Sequence, residues 1–94
     1  MLIIAGPIQL APNRRDAFLA ASRDVVAAAR DAPGCLDFTI AADPLDPDRV
    51  NVFERWASEA ELLAFRGDGP SDDSMSDVVS GDVQRYEIAG VGRA

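Results

Sequence analysis

The sequence predicts a small α+β fold of the ferredoxin-like type: a four-stranded antiparallel sheet with two helices on one face. Three observations lead there. Apolar periods of two and of 3.6 alternate along the chain in the order β-α-β-β-α-β. The two middle strands are separated only by the turn Asp-Pro-Leu-Asp-Pro-Asp at 43–48, which makes them a hairpin. The 94 residues hold one domain, 1–94, with no room for a second core.

Residues 2–10 are apolar and rich in isoleucine, so they form a strand, bent where Gly6 and Pro7 interrupt it. Pro12 and Asn13 stop that strand, and Asn13 with Asp16 resembles a capping box opening a helix over 14–31. Phe18, Ser22, Val25 and Ala29 share the inward face of this helix, with Leu19 and Val26 beside them. Ala32-Pro33-Gly34 ends it. Residues 35–42 alternate, with Leu36, Phe38, Ile40 and Ala42 on one face and Asp37, Thr39 and Ala41 on the other. Residues 49–56 do the same, with Val50, Val52, Glu54 and Trp56 against Asn51, Phe53 and Arg55. Ser58 and Glu61 form a second capping box, which opens a short helix through Leu62, Leu63 and Phe65. Gly67-Asp68-Gly69-Pro70 breaks it. A weaker helical piece over 72–79 and a final strand over 82–90 complete the chain, with Tyr86 and Ile88 turned toward the helices.

With both helices on one face, the other face of the sheet is bare. It is expected to carry Ile3, Ala5, Thr39, Asn51 and Phe53, with Arg55 and Arg85. That surface is too apolar to stand in water, and a core of this size is marginal, so a second copy is expected to cover it. The protein is predicted to be a homodimer.

The charge balance narrows the partners. Nine arginines oppose 16 acids, for a net charge of −7. Residues 1–42 balance four arginines with four aspartates, so the whole excess lies in 43–94. An acidic chain is a poor ligand for nucleic acid or for anionic membrane surfaces. No stretch approaches the ~20 apolar residues of a membrane span, and the apolar N-terminus lacks the basic flank of a signal peptide, so a cytoplasmic location is expected. Cys35 is the only cysteine and the chain has no histidine, which excludes an internal disulfide and leaves no set of zinc ligands.

Phe53-Glu54-Arg55-Trp56 followed by Ser58-Glu59-Ala60-Glu61-Leu62, together with Ala32-Pro33-Gly34-Cys35, resembles the hallmark of the antibiotic biosynthesis monooxygenase family. The resemblance runs over about residues 1–90. It implies a dimeric α+β barrel, in which two ferredoxin-like sheets pack face to face. It also implies a monooxygenase that needs no cofactor and oxidises a hydrophobic aromatic small molecule, an anthrone or quinol, to a quinone. The alternative that it allows is a non-catalytic small-ligand-binding or stress-related dimer. The haem-degrading branch uses a histidine on the helix after the tryptophan; here that stretch reads Leu63-Ala64-Phe65-Arg66. The oxygenase pattern sets an asparagine on the tryptophan's face, where Val52 stands instead of Asn51.

The family pocket lies between sheet and helices, and the expected site follows from that. Trp56 would stack on a flat ring and offer one N–H; a core role is the competing reading. Glu54 shares its face, and an apolar setting would raise its pKa and suit it to take a proton. Tyr86 would hydrogen-bond a substrate oxygen. Val52, Phe38 and Phe65 would form the apolar walls. Cys35, with no histidine to activate it, reads as structural.

Overall fold

The computed structural model describes residues 1–67 and 76–94. In chain order the elements are β1 (Leu2–Leu10), α1 (Arg15–Asp31), β2 (Cys35–Ala42), β3 (Arg49–Trp56), α2 (Glu59–Arg66), β4 (Val78–Gly81) and β5 (Gln84–Glu87). All strand pairs are antiparallel, and the order across the sheet is β2-β3-β1-β4, with β5 also on β1. This is the expected architecture, with one difference. The single last strand is two short ones, and both lie along β1. Gly6 explains the interruption. Its φ is +152°, and a Cβ there would collide with the Asp82 carbonyl, so only glycine lets the chain pass this close to β1. The helical piece expected over 72–79 is not found in its described part: Val78 and Val79 belong to β4. The rest of it lies outside the described residues.

Alternation sorts the sheet into two faces. Leu2, Ile4, Phe38, Val50, Val52 and Trp56 are buried beneath the helices, with Ala29 from α1 and Leu62 from α2. On α1 the inward valine is Val26, which packs against this core, whereas Val25 is exposed. β2 starts with a bulge: its register against β3 shifts between Cys35 and Asp37. The bulge brings Cys35 opposite Trp56 and turns Leu36 outward, 45% exposed, against the simple alternation expected of it.

The helix starts differ in how they are capped. Ser58 Oγ accepts the Glu61 backbone N–H at 3.2 Å, as the sequence predicts, while the Glu61 carboxylate accepts the Ser58 hydroxyl at 2.9 Å in place of the backbone N–H of a full capping box. Asn13 is no cap. It sits at φ +65°, and its N–H goes to the Asp48 carboxylate at 3.2 Å. Arg14 takes the N-cap position with no side-chain cap bond. Instead, Arg15 reaches across to the β2–β3 turn and donates to the carbonyls of Asp43 and Asp46, at 3.2 and 2.8 Å. Arg30 ties the other end of α1 to the Phe38 carbonyl at 2.9 Å.

Candidate functional site

Trp56 ends β3 at the point where Gly34 and α2 converge. The Ala57 N–H donates to the Gly34 carbonyl at 2.8 Å. Gly34 has φ +80°, a left-handed backbone that favours glycine, and a Cβ there would displace the Glu61 carboxyl group. The indole is fully buried, at 0% exposure. The Phe65 ring of α2 lies 5.4 Å away at a tilt of 32°, and Phe65 meets Phe38 edge-on at 6.1 Å.

Two residues back on the same face, Glu54 accepts the Trp56 Nε1–H at 3.0 Å. The carboxylate is half-buried. Burial raises its pKa, opposed by the bond from Trp56 and by the charge of Arg66. Cys35, on the neighbouring strand, has its thiol pKa raised by burial and by the charge of Glu54, so it stays protonated and unreactive at neutral pH. The site is thus one polar pair, Glu54 and Trp56, set in an aromatic and aliphatic wall. Glu54 is partly exposed and the indole is not, so of the pair only the carboxylate is open to solvent.

The structure brings together Glu54, Trp56, Phe38 and Phe65, and it puts Val52 on the same face, buried at 8% exposure. It does not bring Tyr86 there. Tyr86 pairs with Ile3 in the β1–β5 register, on the open face of the sheet, and is 52% exposed. Arg85, expected on the open face, is on the helix side instead, bound to Glu59 and Glu87 at 2.8 Å each. The two reversals share one cause. Even residues of β1 pair with even residues of β3 but with odd residues of β5. The alternation within the last strand is legible in the sequence, but its register against β1 is not.

Concavities among the described residues lie away from this pair. A groove of about 570 Å³ runs between α1 and β2, lined by Leu19, Val26, Arg30 and Ile40 among others. A smaller one of about 200 Å³ lies at the far end of β1, beside Arg49 and Asp82. Neither includes Glu54 or Trp56. Among the described residues no group of three or more Cys, Asp or Glu side chains could hold a metal ion, and no helix is long and apolar enough to cross a membrane.

The comparisons with known proteins agree with this architecture. The family model for antibiotic biosynthesis monooxygenases matches residues 1–71. A solved structure from Chloroflexus aurantiacus, provisionally named for that family, is 28% identical with a TM-score of 0.73, covering 99% of this chain and 95% of that one. One from Deinococcus radiodurans, named in the same provisional way, is 15% identical with a TM-score of 0.85, covering 100% of this chain and 98% of that one, and shows the likeness of fold. The uncharacterized protein sll1783 of Synechocystis sp. is 28% identical over 61 residues, 65% of this chain. That match spans 42% of the relative's length, so the chain covers less than half of it. On the matched residues, the order of elements and the Glu54–Trp56 pair before a capped helix, the chain belongs to the antibiotic biosynthesis monooxygenase family.

Proposed function

We propose that the protein is a dimeric, cofactor-independent monooxygenase that oxidises a hydrophobic aromatic substrate, an anthrone or quinol, to the quinone. The observation that carries this reading is Glu54: a half-buried carboxylate with a raised pKa, in an apolar aromatic setting, held by one N–H. Such a group takes a proton from a weakly acidic carbon or phenol more readily than an ordinary surface carboxylate does. For an anthrone, Glu54 accepts a proton from the ring methylene, and the resulting carbanion is the electron donor. It reduces O2. One oxygen atom becomes the new carbonyl, and the other leaves as water with the two hydrogens lost from the methylene; a quinol instead passes two electrons and two protons to O2, which leaves as hydrogen peroxide with no oxygen inserted. Trp56, being enclosed, is a positioning residue: it fixes the rotamer of Glu54 and tunes its basicity. Phe38, Phe65 and Val52 exclude water. Tyr86 is left out of this chemistry.

The test is oxygen uptake with a panel of anthrones and quinols, with flavin and metal ions excluded from the assay. Wild-type turnover with loss in Glu54→Gln supports the reading. No uptake with any member of the panel rejects it.

A second reading has its own support. Trp56 is sealed in the core, and neither groove reaches it. On that reading the fold binds a small ligand without turning it over. Wild type and Glu54→Gln then bind the panel equally well, and neither consumes oxygen.

A further inference from the structure

The open face of the sheet has an order in which the Glu54–Trp56 site plays no part. By the strand registers it consists of four rows, each crossing β2, β3, β1 and then β4 or β5. The first is Asp37, Arg55, Ile3 and Tyr86. The second is Thr39, Phe53, Ala5 and Gln84. The third has Ala41, Asn51 and Pro7, with the Asp82 N–H bound to the Pro7 carbonyl. The fourth has Arg49, Gln9 and Ser80, with Asp43 at its β2 end. The centre of the middle rows, Phe53, Ala5, Ala41 and Pro7, is apolar, and the end rows are charged.

The two charged ends are not alike. At the fourth-row end, Asp43 and Arg49 are satisfied through Asn51 of the third row: Asn51 donates to Asp43 at 3.0 Å, and Arg49 donates to Asn51 at 2.8 Å. In the first row, Arg55 makes no hydrogen bond or ion pair among the described residues, and its Nε–H is buried without an acceptor. Asp37 beside it spends one carboxylate oxygen on the Phe38 N–H. A buried charged donor without an acceptor is costly, so this end is incomplete among the described residues.

We propose that two copies mate about a two-fold axis running along the strands, so that the Tyr86 hydroxyl of each enters between Asp37 and Arg55 of the other. This rests on the reading that a second copy covers the face, and it adds which of two matings occurs. Two sheets stacked face to face can be related by an axis along the strands or by one across them. An axis across the strands sets the first row on the fourth. Arg55 then meets the partner's Arg49, and Asp37 meets the partner's Asp43, like charge on like charge. An axis along the strands sets the first row on itself, reversed. Asp37 then faces the partner's Tyr86, and Arg55 faces the partner's Ile3, one strand from that hydroxyl. A tyrosine hydroxyl both accepts and donates, so it takes the Arg55 N–H and gives its own proton to Asp37. Packed sheets cross at about 30°, which displaces an end row by about one strand spacing and keeps the hydroxyl within reach of this pair. The same axis lays the bare edge of β2 beside the partner's short β4 and β5, so neither edge is left open.

The experiment is the dimer dissociation constant by sedimentation, for wild type, Tyr86→Phe, Asp37→Asn and the double variant. Within one chain Tyr86 and Asp37 stand three strand spacings apart, about 14 Å. Coupling between them in dimerisation therefore arises across the interface. Each single variant is expected to weaken the dimer about 30-fold, because symmetry loses the contact twice, and the double variant no more than either alone. If the dimer is too tight for sedimentation, a mixture of C35S/D37C and C35S/Y86C chains treated with a short bismaleimide tests the same mating: a cross-link between unlike chains supports it, and the lack of one overturns it. A dimer whose single variants dissociate within twofold of wild type, or whose effects simply add, overturns this mating and leaves the dimer standing. A chain monomeric at every concentration overturns the covering by a second copy as well.

Discussion

Replacing Trp56 by phenylalanine removes one hydrogen bond from Glu54 and leaves the aromatic wall. The bond is 3.0 Å long and ends on a carboxylate. Bonds of that kind contribute roughly 1.5–3 kcal/mol, and the partial exposure of Glu54 argues for the lower end. The lost bond favoured the charged carboxylate, so the Glu54 pKa should rise further above its already raised value. Phenylalanine also fills less of the core than the buried indole, so a stability loss of ~1–3 kcal/mol is expected. The assay is a carbon-13 NMR titration of glutamate side chains, with the Glu54 signal identified by its loss in Glu54→Gln. The same shift toward alkaline pH should appear in the onset of oxygen uptake. A Trp56→Phe protein that is folded, by circular dichroism, and titrates Glu54 at or below the wild-type midpoint refutes the tuning assigned to the indole.

Other expectations follow from single contacts. The folded pKa of Glu54 lies above its ordinary 4.5, so its contribution to stability is complete below that pH and is lost as pH rises through the folded value; urea unfolding of Glu54→Gln should lack this decline. Asp43 runs the other way: bonds from Asn51 and from the Asp46 and Leu45 N–H groups hold its pKa down to about 2. Its contribution is present above 3.8 and lost as pH falls through 2, so acid unfolding of Asp43→Asn should be flatter across that window. Gly6→Ala should cost a few kcal/mol in chemical denaturation, since the new methyl meets the Asp82 carbonyl at a positive φ. Arg55→Met, measured at a dilution where chains are single, should gain about 1 kcal/mol because a buried orphan donor is gone; a loss would show that Arg55 makes a contact within the chain.

Most of the fold was legible because period and punctuation are local. The bounds of β2 and β3 follow from their alternation between Gly34, the aspartate-rich turn and Ser58, and the start of α2 follows from its capping box. The Glu54–Trp56 pair was legible too, since residues two apart on a strand share a face. Three features were not. Asn13 looks like a cap, but its left-handed backbone and the reach of Arg15 set the helix start instead. Cys35 and Leu36 exchange places because of a bulge that alternation cannot reveal. Tyr86 was assigned to the wrong face because alternation states which residues agree with one another, while only the pairing with β1 states which way they all point. The clue that remained in the sequence was Gly6 opposite Asp82, which marks a close crossing of two strands but not its register.

The fastening of α1 has a consequence for the order in which the protein comes apart in acid. Only Ala29 of this helix is fully buried, and its ends are held by Arg15 and Arg30 on main-chain carbonyls. A carbonyl has no proton to gain between neutral pH and strong acid. The C-terminal strands also carry ion pairs, Arg14 to Asp77 and Arg85 to Glu59; Arg85 holds the Glu59 carboxyl below its ordinary pKa, and that tie goes when Glu59 is neutralised in acid. β4 and β5 are short and largely exposed, and apart from these ion pairs they are held by backbone pairing with β1. Acid is therefore expected to loosen the C-terminal strands before β1 to β3 under α1, which hydrogen exchange at low pH would show as earlier loss of protection in β4 and β5.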